Sequence, residues 1–281
     1  MHKAAQMNPY RVDQPAIVMV SGGRTSGFML AKIIEAFGGT LPEDVIPVFA
    51  NTGLEHAATY DFLHEIETRW TPLRWLEYRA LEEGHGFAEV AHETASRNGE
   101  PFEALIRKLK YLPNPVTRKC TVELKLRTGH RFVKSLGWND HTRCIGLRAD
   151  EQRRVARMKG DSASEHVAMP MAEAGHTLED VLAFWNTQPF DLRLPNNDNA
   201  FGNCQLCFLK TKARLRRVMR ANPSSADWWI KAESLGLSDK ASGSVFRMDR
   251  PSYAGLLWEA QHQDQMFSDE EEDALPCACT E

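Results

Sequence analysis

The sequence predicts an α/β fold with a parallel five-stranded sheet, followed by a C-terminal helical part. Short apolar runs rich in β-branched residues alternate with stretches of helical periodicity, a pattern typical of parallel sheets covered by helices. The five predicted strands span residues 16–20, 44–50, 73–78, 142–147 and 166–170. Helical periodicity between the third and fourth strands predicts helices at 87–95 and 102–112.

Composition limits the class of protein. The chain has 281 residues, enough for one large domain or a domain with an appendage, and 42% hydrophobic residues suit a globular core. A net charge of −4 argues against a bulk nucleic-acid binder. No apolar run approaches the length of a membrane span, and the first residues lack the apolar core of a signal peptide. Six cysteines in such a chain indicate a reducing, cytoplasmic setting and metal or redox use.

A glycine turn directly follows the first predicted strand. Ser21, Gly22 and Gly23 precede a predicted helix that Thr25 and Ser26 can cap. Glycines allow the backbone to bend tightly and leave room for a ligand. The free N–H groups and the dipole of the helix point at the same spot, so the turn predicts an anion site. Its spacing matches neither G-x-x-x-x-G-K nor G-x-G-x-x-G.

Polar segments also follow two other predicted strands. Asn51, Thr52 and Gly53 end the second strand, and residues 146–154 follow the fourth with the pattern G-L-R-x-D-E-x-R-R. Arg148 and Arg154 can neutralise phosphate or sulfate oxygens through bidentate bonds. Asp150 or Glu151 can hold Mg²⁺ or orient the arginines. The alternative is a solvated run of charges.

The cysteines fall into four groups. Cys120 opens a predicted helix beside Arg118 and Lys119, which predicts a lowered pKa suited to a nucleophile or a metal ligand. Cys204 and Cys207 form a C-x₂-C pair before a helix, which is typical of a metal knuckle. Cys144 is predicted to be a core residue within a strand, and Cys277 and Cys279 lie in an acidic tail.

The motifs at 21–26, 51–53, 118–121 and 146–154 together resemble the PP-loop family of adenine nucleotide α-hydrolases, which includes ATP pyrophosphatases and phosphoadenylyl-sulfate (PAPS) reductases. The resemblance implies a HUP-type, Rossmann-like sheet that binds ATP or PAPS. The implied nucleotide contacts are Ser21, Gly22, Gly23, Arg24, Thr25, Ser26, Asn51, Thr52, Gly53, Gly146, Arg148 and Arg154. The implied catalytic residues are Cys120, Arg148, Asp150 and Glu151.

The resemblance also implies a 4Fe–4S cluster on Cys120, Cys204 and Cys207, with Cys277 or Cys279 as a possible fourth ligand. Zinc is the alternative metal. The expected organisation is a lead-in at 1–15, a nucleotide-binding domain at 16–200, a cysteine knuckle with helices at 201–267, and a flexible acidic tail at 268–281.

Two reactions fit this resemblance. In the first, a substrate oxygen attacks the α-phosphate of ATP, pyrophosphate leaves, and sulfur then displaces AMP; the acceptor is unknown, with nucleic acid as one candidate. In the second, a thiolate attacks the sulfur of PAPS or adenylyl sulfate and sulfite is released. A non-enzymatic alternative is a nucleotide-responsive nucleic-acid-binding module, which the basic residues at 210–220 favour. The sequence does not give the oligomeric state.

Overall fold

A six-stranded, mostly parallel sheet forms the framework of the fold. The computed structural model describes residues 8–81, 84–158, 165–237 and 241–262. The strands are β1 (Ala16–Met19), β2 (Val45–Asn51), β3 (Arg74–Tyr78), β4 (Phe87–Val90), β5 (His141–Cys144) and β6 (Glu165–Ala168). Their order is β4-β3-β2-β1-β5-β6. The pairs β1–β2, β1–β5 and β5–β6 are parallel, with Ala16 opposite both Val45 and Thr142.

Helices occupy most of the connections. They are α1 (Arg24–Ala36), α2 (Ala57–Arg69), α3 (Glu100–Leu109), α4 (Thr128–Ser135), α5 (Gln152–Met158), α6 (Pro170–Glu173), α7 (Leu178–Trp185), α8 (Lys212–Ala221), α9 (Asp227–Ser234), α10 (Ala241–Ser244) and α11 (Tyr253–His262). A π-helical segment, Thr121–Arg127, precedes α4. Helix α7 begins with the capping box that its sequence predicts, in which Thr177 and Asp180 exchange side-chain and backbone bonds.

The α/β class is therefore confirmed, but the prediction of five strands is wrong. Residues 87–90, which were expected to start a helix, form β4 beside β3. Gly84 and Gly86 both have positive φ angles, 122° and 76°, which turn the chain just before β4. The N–H of Arg79 donates to the carbonyl of Gly86 at 3.2 Å and closes the connection. The open edge of β3 thus decides the conformation of a segment with ambiguous periodicity.

The chain divides into two compact units built from non-consecutive segments. Unit 1 consists of Met1–Phe49, Ala58–Leu76 and Phe132–Arg193. Unit 2 consists of Ala50–Ala57, Glu77–Arg131 and Leu194–Glu281. Within unit 1, Tyr10 and Val12 are buried, so part of the expected lead-in contributes to the core.

Tight packing in unit 1 fixes the start of α1. A Cβ on Gly27 would lie 2.7 Å from Cζ2 of Trp185, so only glycine permits this approach. The indole N–H of Trp185 donates to the carbonyl of Arg24 at 2.8 Å.

In unit 2, an aromatic cluster supports the helices: the ring of Trp229 lies 4.9 Å from that of Phe246 and 5.0 Å from that of Tyr253.

Within the described ranges, we find no helix with the length and apolar character needed to cross a membrane.

Candidate nucleotide and thiol sites

The glycine turn of unit 1 lies between β1 and α1, as the sequence predicts. Gly22 has a φ of +78°, and a Cβ there would lie 2.4 Å from Cγ2 of Thr59. Gly23 caps α1 with an extended backbone, and the nearest neighbour of a Cβ there would be Ser21 Oγ at 3.8 Å. Gly22 is therefore required by the fold, whereas the space beside Gly23 is open.

Two serines stabilise this turn from within. The N–H of Ser21 donates to Oγ of Ser26 at 3.0 Å, and that hydroxyl donates to the carbonyl of Gly23 at 2.9 Å. The two serine hydroxyl oxygens are 3.1 Å apart. These bonds hold the turn in the shape that presents the N-terminus of α1, a helix of 13 residues.

Arg24, which was predicted to contact the nucleotide, binds Asp191. Its Nε and one terminal nitrogen each lie 2.7 Å from a carboxylate oxygen, and that nitrogen also donates to the carbonyl of Leu192 at 2.9 Å. The bidentate pair holds the guanidinium in place. No local pattern predicts this partner, because Asp191 is 167 residues away in sequence.

The segment after β5 meets the first turn of α1. A Cβ on Gly146 would lie 3.3 Å from Cα of Ser26. One terminal nitrogen of Arg148 lies 3.4 Å from the hydroxyl of Thr25, and its Nε donates to Asp150 at 2.9 Å. The structure thus brings together predicted residues that are more than 120 positions apart in sequence.

Glu151 connects the two arginines of this segment. It accepts the N–H of Arg148 at 3.1 Å and forms an ion pair with the guanidinium of Arg154. Two guanidinium groups thus lie among two carboxylates, Asp150 and Glu151. This arrangement orients the arginines, and each carboxylate oxygen of the two acidic residues faces an N–H group of Arg148 or Arg154.

Asn51, another predicted nucleotide contact, takes part in a buried network of unit 2. Its amide nitrogen donates to Glu77 at 2.7 Å and to the carbonyl of Ser96 at 2.9 Å, and its oxygen accepts the N–H of Gly53 at 2.9 Å. Gly53 has a φ of +79°, and its carbonyl accepts the N–H of Gly99 at 2.9 Å. These bonds give Asn51 and Gly53 a clear structural role.

Thr52 lies beside a cysteine. Its hydroxyl is 3.2 Å from Sγ of Cys204 and donates to a carboxylate oxygen of Glu55 at 2.8 Å. Glu55 is buried, lies 3.8 Å from the same sulfur, and pairs with Cys204 through an isolated β-bridge. The sequence contains Glu55 directly after the N-T-G motif but gives no sign of its partner.

The three predicted metal ligands line one pocket of unit 2. The cavity that its walls form has a volume of about 20 Å³, room for about one water molecule. The lining residues are Thr52, Phe102, Cys120, Thr121, Lys125, Asn203, Cys204, Cys207, Phe208, Leu209 and Trp229. Cys120 thus lines the same pocket as the C-x₂-C pair, although it lies 84 residues before Cys204 in sequence.

The π-helical segment explains why Cys120 and Lys125 share this pocket. Hydrogen bonds in a π-helix link residues five apart, so side chains with that spacing lie roughly above one another. In an α-helix the same two residues would point in different directions. Lys125, which the sequence interpretation overlooked, therefore supplies positive charge next to the thiols.

The prediction of a lowered pKa for Cys120 is wrong. Burial raises the pKa of this thiol to about 12, the nearby Cys207 raises it further, and Lys125 opposes the shift. Burial also raises the pKa of Cys204, with Glu55 as the next contributor. Both thiols are therefore neutral at physiological pH in the metal-free protein.

The donor set fits a soft metal centre. Thiolates are the usual ligands of both zinc and iron–sulfur clusters. Among the described residues, the three sulfurs do not all lie within 4.8 Å of one another. Cys277 and Cys279 lie outside the described residues.

The basic residues of α8 have partners within unit 2. Lys212 and Arg216 both lie near Glu259, and Arg217 pairs with Asp198 at 3.0 Å. Arg220 donates to the carbonyl of Ala260 at 3.1 Å. Lys210, just before the helix, is only 2% exposed. Most of these basic side chains therefore stabilise unit 2 through ion pairs and hydrogen bonds.

Comparison with known proteins shows that this chain is similar to a phage protein. The chain is 30% identical over 207 residues to the uncharacterized nin region protein ORF290 of Escherichia phage lambda. The aligned region covers 71% of this chain and 67% of the phage protein. No protein-family model matches the chain. The description of the phage protein names no activity, so function must be inferred from the residues themselves.

Proposed function

The chain belongs to the same family as the nin region protein ORF290 of phage lambda, and we propose that it is an adenine nucleotide-dependent enzyme of sulfur transfer. The observation that carries this proposal is the convergence of Cys120, Cys204 and Cys207 on one pocket. Buried thiols that gather around one space are typical of a metal or cluster site. The glycine turn and the arginines of unit 1 supply the complementary feature, a site for phosphate groups.

The nucleotide is ATP in this proposal, with PAPS as the alternative. The N-terminus of α1 and the open space beside Gly23 receive phosphate oxygens. Arg148, which lies beside Thr25, turns its guanidinium to the departing pyrophosphate, and Arg154 adds a second positive charge. Asp150 or Glu151 provides an oxygen ligand for Mg²⁺ at the phosphates.

The proposed reaction activates an acceptor substrate. An oxygen of the acceptor attacks the α-phosphate, and pyrophosphate leaves with the electron pair of the broken P–O bond. A sulfur nucleophile then displaces AMP. Cys120, Cys204 and Cys207 would hold a 4Fe–4S cluster, which would supply the chemistry that delivers this sulfur.

The raised pKa values favour metal ligation over thiolate attack. A nucleophile that attacks the sulfur of PAPS must be a thiolate at working pH. Cys120 and Cys204 are neutral in the metal-free pocket, because burial outweighs the positive charge of Lys125. A bound metal deprotonates its thiol ligands outright, so these residues suit ligation.

Product analysis tests the reaction. Anaerobically purified protein is incubated with ATP, sulfide and nucleic acid as the candidate acceptor, or with PAPS and a thiol reductant, and pyrophosphate, AMP and sulfite are measured. Pyrophosphate and AMP from ATP, with no sulfite from PAPS, are expected. Sulfite release from PAPS without turnover of ATP would contradict the proposal and identify a reductase instead.

Gly23→Val tests the phosphate site. The added side chain fills the open space at the N-terminus of α1, so we expect ATP affinity to fall at least tenfold, about 1.4 kcal/mol, with little loss of stability. Gly22→Val is the contrasting variant, because its Cβ collides with Thr59 and should destabilise the fold. If calorimetry shows that a folded Gly23→Val protein binds ATP with unchanged affinity, the nucleotide does not bind at this turn.

A further inference from the structure

The segment that carries Cys204 and Cys207 is mostly irregular. We call residues 200–210 the cysteine loop. Irregular backbone must still satisfy its carbonyl groups when it is buried. Two bonds do so locally: the N–H of Cys207 donates to the carbonyl of Cys204 at 3.1 Å, and that of Lys210 donates to Cys207 at 2.9 Å. The remaining carbonyls need donors from elsewhere.

The side chain of Lys210 satisfies three of these carbonyls at once. Its Nζ lies 2.7 Å from the carbonyl oxygen of Ala200, 2.7 Å from that of Gly202 and 2.8 Å from that of Gln205. An ammonium group has three N–H donors and no acceptor, so it can donate one hydrogen bond to each of the three carbonyl oxygens. The residue is only 2% exposed, which places the cation at the centre of the loop.

We propose that Lys210 is a positioning residue that folds the cysteine loop around its ammonium group and thereby fixes the Cys204 thiol in the pocket. Gly202 and Gln205 bracket Cys204, and both turn their carbonyls toward Nζ. Between them, Asn203 has a φ of +54°, a left-handed conformation that asparagine tolerates better than most residues. The backbone conformation is thus fixed both before and after Cys204.

Other donors complete the support of the cysteine loop. The hydroxyl of Tyr253 donates to the carbonyl of Leu206 at 2.5 Å, and Arg250 donates to that of Lys210 at 3.0 Å. These contacts hold the second half of the loop, near Cys207. The first half, near Cys204, is held by the Lys210 ammonium together with the β-bridge between Glu55 and Cys204. Removal of that cation should therefore affect Cys204 most.

The three carbonyls resemble a small cation site that the protein fills with its own side chain. In Lys210→Ala the carbonyl dipoles would converge on a vacated space, which favours opening of the loop. Carbonyl oxygens bind monovalent cations such as K⁺. Ammonium or potassium ions can therefore replace the lost group, whereas tetramethylammonium has no N–H donor and is too large.

Cysteine labelling in metal-free protein tests this role. Each cysteine of Lys210→Ala is alkylated with iodoacetamide, and the rates are measured by peptide mass spectrometry. We expect Cys204 to react about tenfold faster or more, with Cys144 unchanged, because local opening of the cysteine loop exposes the Cys204 sulfur to the reagent. Ammonium chloride should restore the slow rate, and tetramethylammonium chloride at the same concentration should not. Lys212→Ala, which removes a neighbouring lysine bound to Glu259, is the matched control.

Two results would overturn the proposal: an unchanged rate at Cys204, or faster labelling at every cysteine with no response to ammonium. If Lys210→Ala does not fold, it is refolded in each salt and compared with Lys210→Gln. Recovery in ammonium alone supports the proposal, and failure in both salts refutes it.

The consequence for metal binding rests on the proposed function. After reconstitution with iron and sulfide, Lys210→Ala should bind cluster iron about 10- to 100-fold more weakly than the unmodified protein. If the unmodified protein binds no iron, the proposed function fails, while the labelling result still decides the role of Lys210.

Discussion

The pH dependence of Cys120 reactivity tests the electrostatics of the thiol pocket directly. In the metal-free protein, burial raises the pKa of Cys120 from its usual 9.0 to about 12. A shift of this size lowers the thiolate fraction at neutral pH about 1,000-fold, and each pKa unit corresponds to about 1.4 kcal/mol. The thiolate is the reactive form, so the alkylation rate of Cys120 should rise tenfold per pH unit from pH 7 to beyond pH 9.

The shape of the pH profile distinguishes the effect of thiol ionisation from that of restricted access of the reagent to Cys120. Restricted access lowers the rate equally at every pH, whereas the pKa determines where the rate stops rising. Iodoacetamide labelling of folded, metal-free protein gives this profile, and the chain in denaturant, where the thiol should titrate near pH 8.5, provides the reference. A plateau below pH 9 in the folded protein would refute the reasoning. Lys125→Met should slow the reaction further, because Lys125 lowers the pKa of Cys120.

Three substitutions test other parts of the structure. Glu165→Gln should lower the free energy of unfolding by about 3–5 kcal/mol in denaturant titrations, because it leaves the buried guanidinium of Arg143, now 2.7 Å from Glu165, without its carboxylate. Asn51→Ala should destabilise by about 3 kcal/mol or more, because it orphans several buried groups; full stability with weaker ATP binding would instead make Asn51 a ligand contact. Arg148→Ala should weaken ATP binding in calorimetry with stability unchanged, and Arg24→Ala should mainly lower stability. The reverse result would make Arg24 the nucleotide contact and Arg148 the structural residue.

The sequence predicts the elements that depend on local pattern. The strand, glycine turn and helix around residues 16–36 follow from apolar periodicity and from residues that permit a sharp turn. Strand β4 was missed, because a four-residue segment has too little periodicity and takes its conformation from the edge of β3. The grouping of Cys120 with Cys204 and Cys207 was expected from the family resemblance and from their residue type, and no local pattern places them in one pocket.

The pKa of Cys120 shows why local charge misleads. The prediction relied on Arg118 and Lys119, its neighbours in sequence. In the structure the main cause is burial, and the cation that opposes it is Lys125, brought near by the π-helical segment. Desolvation depends on tertiary packing, which no window of sequence contains. For the same reason, the sequence does not show which residues contact Glu55 and Lys210.

The two arginines near the glycine turn differ in how readily they can serve an exchangeable anion. Arg24 makes three short bonds to Asp191 and Leu192, so a ligand that recruits it must first break that set. Arg148 pairs with Asp150, whose side chain is 40% exposed, and makes a longer contact of 3.5 Å to the less exposed Glu151. Exposed ion pairs such as the one with Asp150 contribute only about 0–1 kcal/mol. A phosphate can displace such a partner at little cost and gain a bidentate bond in return. Arg148, which also lies beside the first turn of α1, is therefore the guanidinium better suited to follow a nucleotide through binding, reaction and release.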